Sequence, residues 1–210
     1  AGGFGAMYSL AGFREPVLVA STDGVGSKLK LAVAVKRYRT IGEDLVNACV
    51  NDVIVSGAKP LFFLDYIAVG ALDAPVVEEI LEGIARACVE AECALVGGET
   101  AQMPGLYAEG EFDVAGFVVG AVEKSEIVDG STVVEGDVLL GIPSSGLHTN
   151  GYSLARDILG LDDDPSSLLE YYPEVDGTLG DALLAPHRPY YQMVRPITTL
   201  VKAMAHITGG

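Results

Sequence analysis

Residues 41–60 read Ile-Gly-Glu-Asp-Leu-Val-Asn-Ala-Cys-Val-Asn-Asp-Val-Ile-Val-Ser-Gly-Ala-Lys-Pro. Ile41, Leu45, Cys49 and Val53 recur at every fourth position, which places them on one face of an α-helix. Gly57 offers the helix a stop and Pro60 bars its continuation. Asp44, Asn47 and Asn51 form a polar stripe on the same helix, with Asp52 beside it. Acidic and amide groups on a mostly apolar helix are costly unless satisfied, by a hydrated Mg²⁺ or by hydrogen bonds to a neighbouring loop. The residues alone leave both partners open.

Working outward, Val17, Leu18 and Val19 form a short apolar run after Pro16, closed by Asp23-Gly24, and predict a buried strand ending in a turn. Leu61 to Gly70, rich in aromatic and branched residues, predicts a second strand. Asp73 and Pro75 open a helix whose apolar stripe is Val77, Ile80, Leu81, Ile84 and Cys88. Ala94 to Val96 and Val114 to Val122 predict further strands. Strands and helices alternate without the regular spacing of a doubly wound sheet, so the expected class is α+β. Between Glu123 and Asp137 the apolar pattern weakens and Asp129-Gly130 and Glu135-Gly136-Asp137 carry turn chemistry, which predicts domains at 1–125 and 126–210. In the second, Val138 to Ile142 reads as a strand, 143–151 as a loop of small and polar residues, and Tyr152 to Leu159 as a helix. Asp162 to Gly180, acidic and broken by Pro165, Pro173 and Gly177, reads as a mobile excursion. A last helix is expected from about Pro189 to Ala205, before a turn at Thr208-Gly209-Gly210.

Composition sets the class of partner. With 210 residues, half of them apolar, the chain can bury the core of one large or two small domains. No apolar run approaches the roughly 20 residues of a membrane span. The small residues Ala1 to Gly5 lack the basic start and apolar stretch of a secretory leader, so a cytoplasmic location is expected. Cys49, Cys88 and Cys93 cannot all pair and read as buried small residues in a reducing compartment. A formal charge of −16 argues against nucleic acid, whose binding relies on clustered Lys and Arg. A small phosphorylated ligand would need divalent metal, backbone N–H groups and local cations. Lys28, Lys30, Lys36, Arg37 and Arg39 do crowd one stretch, a pattern that also describes a solvated helix face.

Three segments carry candidate chemistry. Ser21-Thr22-Asp23-Gly24-Val25-Gly26-Ser27-Lys28 sets a carboxylate at a strand end, then two glycines, then a lysine where a helix begins. Glycines let backbone N–H groups approach phosphate, the lysine adds a point charge, and Asp23 offers oxygen to Mg²⁺; a plain tight turn fits equally. Gly97-Gly98-Glu99-Thr100 reads as a carboxylate on a flexible turn, a second metal or ribose contact, or an exposed hairpin. Ser144 to Gly151 gathers hydroxyls, an imidazole and an amide before a helix, a setting that suits a monophosphate. The alternative is that the loop caps that helix through Asn150. His148 alone would more often be structural than catalytic.

In order, these pieces resemble one family. Asp52-Val-Ile-Val-Ser-Gly-Ala-Lys-Pro60 is similar to the defining motif of a superfamily of ATP-using enzymes. Gly2 to Gly5, Asp23 to Lys28, Cys49 to Asp52, Leu61 to Tyr66, Gly97 to Gly105, Asp113 to Phe117 and Asn150 to Leu154 resemble its aminoimidazole ribonucleotide synthetase branch. Ser27 stands where Thr is expected and Gln102 where Glu is common; both ends of the chain look cut. The resemblance implies two α+β domains, the first with a mixed or antiparallel sheet that pairs across a homodimer and the second incomplete here. It implies a cyclo-ligase of purine biosynthesis, converting formylglycinamidine ribonucleotide and ATP to aminoimidazole ribonucleotide, ADP and phosphate. The amide oxygen would take the γ-phosphoryl group and the substrate's own nitrogen would then displace phosphate to close the ring. The implied metal ligands for Mg²⁺ are Asp23 and Asp52, with Glu99 a further one. Nucleotide would meet Asp23, Gly24, Gly26, Lys28, Asn51, Asp52 and Glu99. Substrate would meet Ser145, Gly146, Thr149 and Asn150. His148, Lys28 and Asp52 would carry the catalysis, with His148 shuttling a proton.

Overall fold

A computed structural model describes residues 4–208. Gly2 and Gly3 of the resemblance, the first residues of the leader reading and the closing Gly209-Gly210 lie outside the described residues. The first half runs β1 (Pro16–Gly24), α1 (Lys28–Val35), α2 (Arg39–Ile54), β2 (Lys59–Val69), α3 (Ala74–Glu90), β3 (Ala94–Gln102) and β4 (Phe112–Glu123). The strands form one sheet in the order β1-β4-β2-β3, with β3 parallel to β2 and the other pairs antiparallel. This is the mixed sheet of an α+β fold.

The four-residue period of α2 does what it predicts. Ile41, Leu45, Cys49 and Val53 are fully buried, against Phe63 and Ile67 of β2 and Val114 and Val118 of β4. Each such side chain contributes about 1.5–3 kcal/mol on burial. α3 packs beside α2 through Val77, Ile80, Ile84 and Ala87. The two helices approach backbone to backbone where Gly42 faces Gly83. A Cβ on Gly83 would lie 2.0 Å from the Arg39 carbonyl oxygen, and one on Gly42 would lie 2.1 Å from that of Ile80.

The other face of the sheet is open. Leu18 is 57% exposed, Phe117 is exposed on the neighbouring strand, and Tyr8 covers Phe62 with ring centroids 5.4 Å apart. Edge strands β1 and β3 flank this apolar surface.

The structure departs from expectation in four places. Residues 138–142 form no strand, because no described strand pairs with them; Leu139 is 98% exposed and its neighbours nearly as much. Gly97 to Thr100 is not a turn but lies inside β3, aligned with β2. The stretch 162–180 carries 3₁₀ turns at Pro165–Leu169 and Pro173–Val175 and a small hairpin, β5 (Tyr171–Tyr172) with β6 (Gly177–Thr178), and it buries Leu168. The long last helix is instead α6 (Tyr191–Val194) followed by a 3₁₀ turn, Arg195–Leu200, since Pro196 removes a donor where an α-helix would continue. α4 (Tyr152–Ile158) matches its prediction, and α5 (Leu179–Leu183) begins with a capping box of Thr178 and Asp181.

The α2–α3 contact generates a prediction. Gly83→Ala should cost about 2 kcal/mol or more, since the clash is with backbone that cannot move aside. Urea unfolding of the variant checks it, and an unchanged midpoint would refute the close packing.

Candidate active site

The polar stripe of α2 finds its partners in the segment 185–190. Asp44 Oδ1 accepts from the His187 backbone N–H at 2.7 Å, and Asn47 donates to the His187 carbonyl at 2.8 Å. Asn51 donates to the Arg188 carbonyl at 2.9 Å and accepts from the Tyr190 N–H at 3.2 Å. Of the two partners left open by the sequence, the neighbouring loop is the one present for these three side chains. Asn51 has both ends of its amide engaged in this geometry.

Lys28 completes the junction. Its ammonium is fully buried, 2.7 Å from Asp44 Oδ2, and donates to the carbonyls of His148 at 3.0 Å and Ala185 at 2.9 Å. It also lies 5.5 Å from the Tyr152 ring centroid. The ammonium is thus enclosed by one carboxylate, as an ion pair, and two accepting carbonyls. Burial lowers the Lys28 ammonium below its ordinary range and raises the Asp44 carboxyl above its own, each opposed by the other's charge.

The loop 144–150 is held against the same segment. Ser145 Oγ donates to the Pro186 carbonyl at 2.5 Å. His148 takes a left-handed backbone (φ 57°), and its ring stacks on His187 with centroids 4.0 Å apart. Its Nε2 accepts from the backbone N–H of Ser145 at 3.1 Å and of Arg188 at 3.4 Å, so the ring proton sits on Nδ1. Burial, then the charges of His206, Lys28 and Arg188, lowers its pKa to about 4. In its neutral form His148 is an acceptor that ties two loops together. Thr149 Oγ1 lies 3.4 Å from His187 Nδ1. Gly146 packs near Ala182 and Ala185. Asn150 does not cap α4; the N-cap is Gly151, with no side-chain bond.

Asp23 and Asp52 come together at the β1 edge. Asp52 Oδ2 accepts from Ser21 Oγ at 2.8 Å, and its Oδ1 lies 2.8 Å from His206 Nδ1. Asp23, two residues beyond Ser21 on the same strand face, accepts from the Gly24 N–H at 2.8 Å and is exposed. The Cys49 thiol lies near both, and burial, then Asp23, pushes it up to about 12.

Glu99 does not join them. Asp23 aligns with Gly116, Gly116 with Asp65, and Asp65 with Gly98, so this row shares the face that α2 covers. Glu99, next in β3, points to the open face on the far edge, roughly 14 Å away by strand spacing. The three carboxylates thus form no single ligand set within the chain. Among the described residues no group of three or more His, Cys, Asp or Glu is placed to hold a metal. Asp23 and Asp52 still fit Mg²⁺, which commonly takes one or two carboxylates and keeps water and phosphate as its other ligands.

Sequence reasoning missed the Lys28–Asp44 pair, Asp65, His187, Arg188 and His206. Asp65 is buried and raised by that burial; a Cβ on Gly98 would strike its carboxyl at 2.3 Å. Cys49, Cys88 and Cys93 are free and buried. No helix among the described residues is long and apolar enough to cross a membrane.

Known proteins are similar to this chain. A family model described as AIR synthase related protein, N-terminal domain, matches residues 8–122, and one described as AIR synthase related protein, C-terminal domain, matches residues 134–210. Phosphoribosylformylglycinamidine cyclo-ligase of Thermoanaerobacter pseudethanolicus is 51% identical over 210 residues, which is 100% of this chain and 62% of that protein. The same-named protein of Carboxydothermus hydrogenoformans is 56% identical over 216 residues with the same coverage. The chain thus spans about 62% of the length of these curated relatives. A crystal structure of the hydrogenase maturation protein HypE in complex with ATP shares the fold, with a TM-score of 0.52 and 21% identity over 73% of this chain and 44% of that one.

The junction yields two expectations. Lys28→Met should destabilise the chain by about 3–5 kcal/mol, because it strands a buried carboxylate, and adding Asp44→Leu should recover much of the loss. Chemical denaturation checks this; a loss no smaller in the double variant would count against the pair. The second concerns pH. His148 is depressed to about 4 from 6.5, so its contribution is present above about pH 6.5 and lost as pH falls toward 4. His187, held down to about 2, extends the decline. Urea midpoints measured from pH 7.5 downward should fall over this window, and His148→Gln should flatten the slope.

Proposed function

The chain belongs to the AIR synthase related family, and we propose that it forms the N-terminal and central part of a cyclo-ligase that closes the imidazole ring of aminoimidazole ribonucleotide at the expense of ATP. The observation that carries this reading is the identity of 51–56% along the whole chain to proteins named phosphoribosylformylglycinamidine cyclo-ligase. The edge of β1 supports it, since Asp23 and Asp52 meet there beside the Gly24–Gly26 turn.

In this reading Asp23 and Asp52 hold Mg²⁺ on the ATP phosphates, and the ion supplies charge neutralisation that an acidic chain cannot. Ser21 and His206 hold the two oxygens of Asp52 from opposite sides, which fixes the carboxylate before ligand arrives. Lys28 acts indirectly by clamping the 144–150 loop through the His148 carbonyl. Ser145, Gly146, Thr149 and Asn150 on that loop face substrate, with a boundary near residue 125 separating the two regions. The apolar open face of the sheet, with Leu18 and Phe117 exposed, supports pairing with a second copy. A cytoplasmic homodimer completes the proposal.

Asp52→Asn in the full-length enzyme should lower turnover by about 100-fold or more with the fold intact. Assay with Mg-ATP and formylglycinamidine ribonucleotide, read by the aromatic amine product, tests it; near-normal activity at low Mg²⁺ would reject the assignment.

A further inference from the structure

All three histidines of the chain lie in one cluster, although 148, 187 and 206 are far apart in sequence. His148 spends its Nε2 on backbone N–H groups. The other two turn their Nε2 atoms toward each other at 3.2 Å, with ring centroids 5.3 Å apart. We propose that His187 and His206 form a site for one divalent ion of the zinc, cobalt or nickel type, bound through their two Nε2 atoms. Nothing in the ring-closing reading calls for such an ion, and the inference stands apart from it.

Three features of the geometry support the site. Two nitrogens each about 2.0–2.1 Å from one tetrahedral ion lie roughly 3.3–3.4 Å apart, close to the separation present here. Each ring is also anchored at its far nitrogen, as metal-binding imidazoles are: His206 Nδ1 lies 2.8 Å from Asp52 Oδ1, and His187 Nδ1 lies 3.4 Å from Thr149 Oγ1. Finally, both lone pairs can be freed without losing a proton to solvent. In its neutral form His206 donates from Nδ1 to Asp52, which leaves its Nε2 bare; His187 moves its proton from Nε2 to Nδ1, and Thr149 Oγ1 changes from donor to acceptor.

Burial reinforces this, since it holds His187 at a pKa of about 2 and so keeps the ring neutral. Two imidazole nitrogens select a borderline transition metal over Mg²⁺, which prefers oxygen. With no third side-chain ligand placed nearby among the described residues, water or a donor atom of a bound ligand fills the remaining positions. The ion would tie residue 206 to the 185–190 segment, which α2 already grips through Asp44 and Asn47.

The test uses the ¹⁵N-labelled chain and Zn²⁺ alone. Long-range ¹H–¹⁵N spectra of the imidazoles should show the Nε2 resonances of His187 and His206 moving together, complete at one equivalent, with His148 unmoved and Mg²⁺ without effect. Co²⁺ should give a tetrahedral visible band that His206→Gln and His187→Gln each weaken by about 100-fold or more in affinity. The wild-type spectra decide the matter even if a variant fails to fold. Movement of a single imidazole, movement of none, or a thiolate-to-cobalt charge-transfer band marking capture by the cysteines would overturn the proposal.

Discussion

The contact on which the rest of this structure depends is the buried pair of Lys28 and Asp44. Its two charges lie 2.7 Å apart with no solvent exposure. Removing an ammonium and a carboxylate from water costs several kcal/mol each, and their mutual attraction alone barely offsets it. Around the pair, two carbonyls accept from Lys28 and one backbone N–H donates to Asp44 Oδ1, whereas the buried Oδ2 is compensated by the Lys28 charge alone. The acceptors come from residues 148 and 185, so the pair can be satisfied only when the second half of the chain lies in one register on the first. Whatever its net contribution to stability, the pair selects a single arrangement.

That selectivity passes to the site. The stripe of Asp44, Asn47 and Asn51 grips the backbone of 187–190, and this segment in turn holds His148, Ser145 and Thr149. The loop is therefore positioned by backbone hydrogen bonds rather than by its own turn chemistry. The left-handed conformation of His148 is the local cost of this arrangement, since a non-glycine residue enters that region only when its surroundings demand it.

The first half was legible because its instructions are local. A four-residue apolar period, alternating strands and the Gly57 and Pro60 punctuation specify α2, β2 and α3 within a turn or so of their observed ends. Residues 138–142 were misread because a strand is defined by its partner, and sequence composition cannot say whether one is present. Pro196 was underweighted against the apolar run around it. In the site, the polar stripe announced a need for partners without naming them. Asp44 meets Lys28 across 16 residues and His187 across 143, distances over which no periodicity carries information. His187 and His206 sit in no motif that marks them; only the fold brings them beside Asp52. Glu99 was misplaced for the opposite reason: Gly97-Gly98 resembles a turn, yet the glycines lie in a strand beside the bulk of Asp65.

On the proposed reading this acidic chain would handle phosphate with few cations to commit, and it buries a lysine at the junction instead of presenting it. The charge for binding an anion must then come from elsewhere. On that reading the two means that remain at the β1 edge would be backbone N–H groups around Gly24 to Gly26 and a divalent ion on Asp23 and Asp52. Such an arrangement separates two tasks that a single exposed lysine would combine. Lys28 fixes where the loop lies, while on the proposed reading the carboxylate edge would attract an ion when ligand brings one. Because Asp52 is held by Ser21 on one side and by His206 on the other, the edge and the junction share a residue, and any ligand that moves Asp52 acts on the second half of the chain through His206.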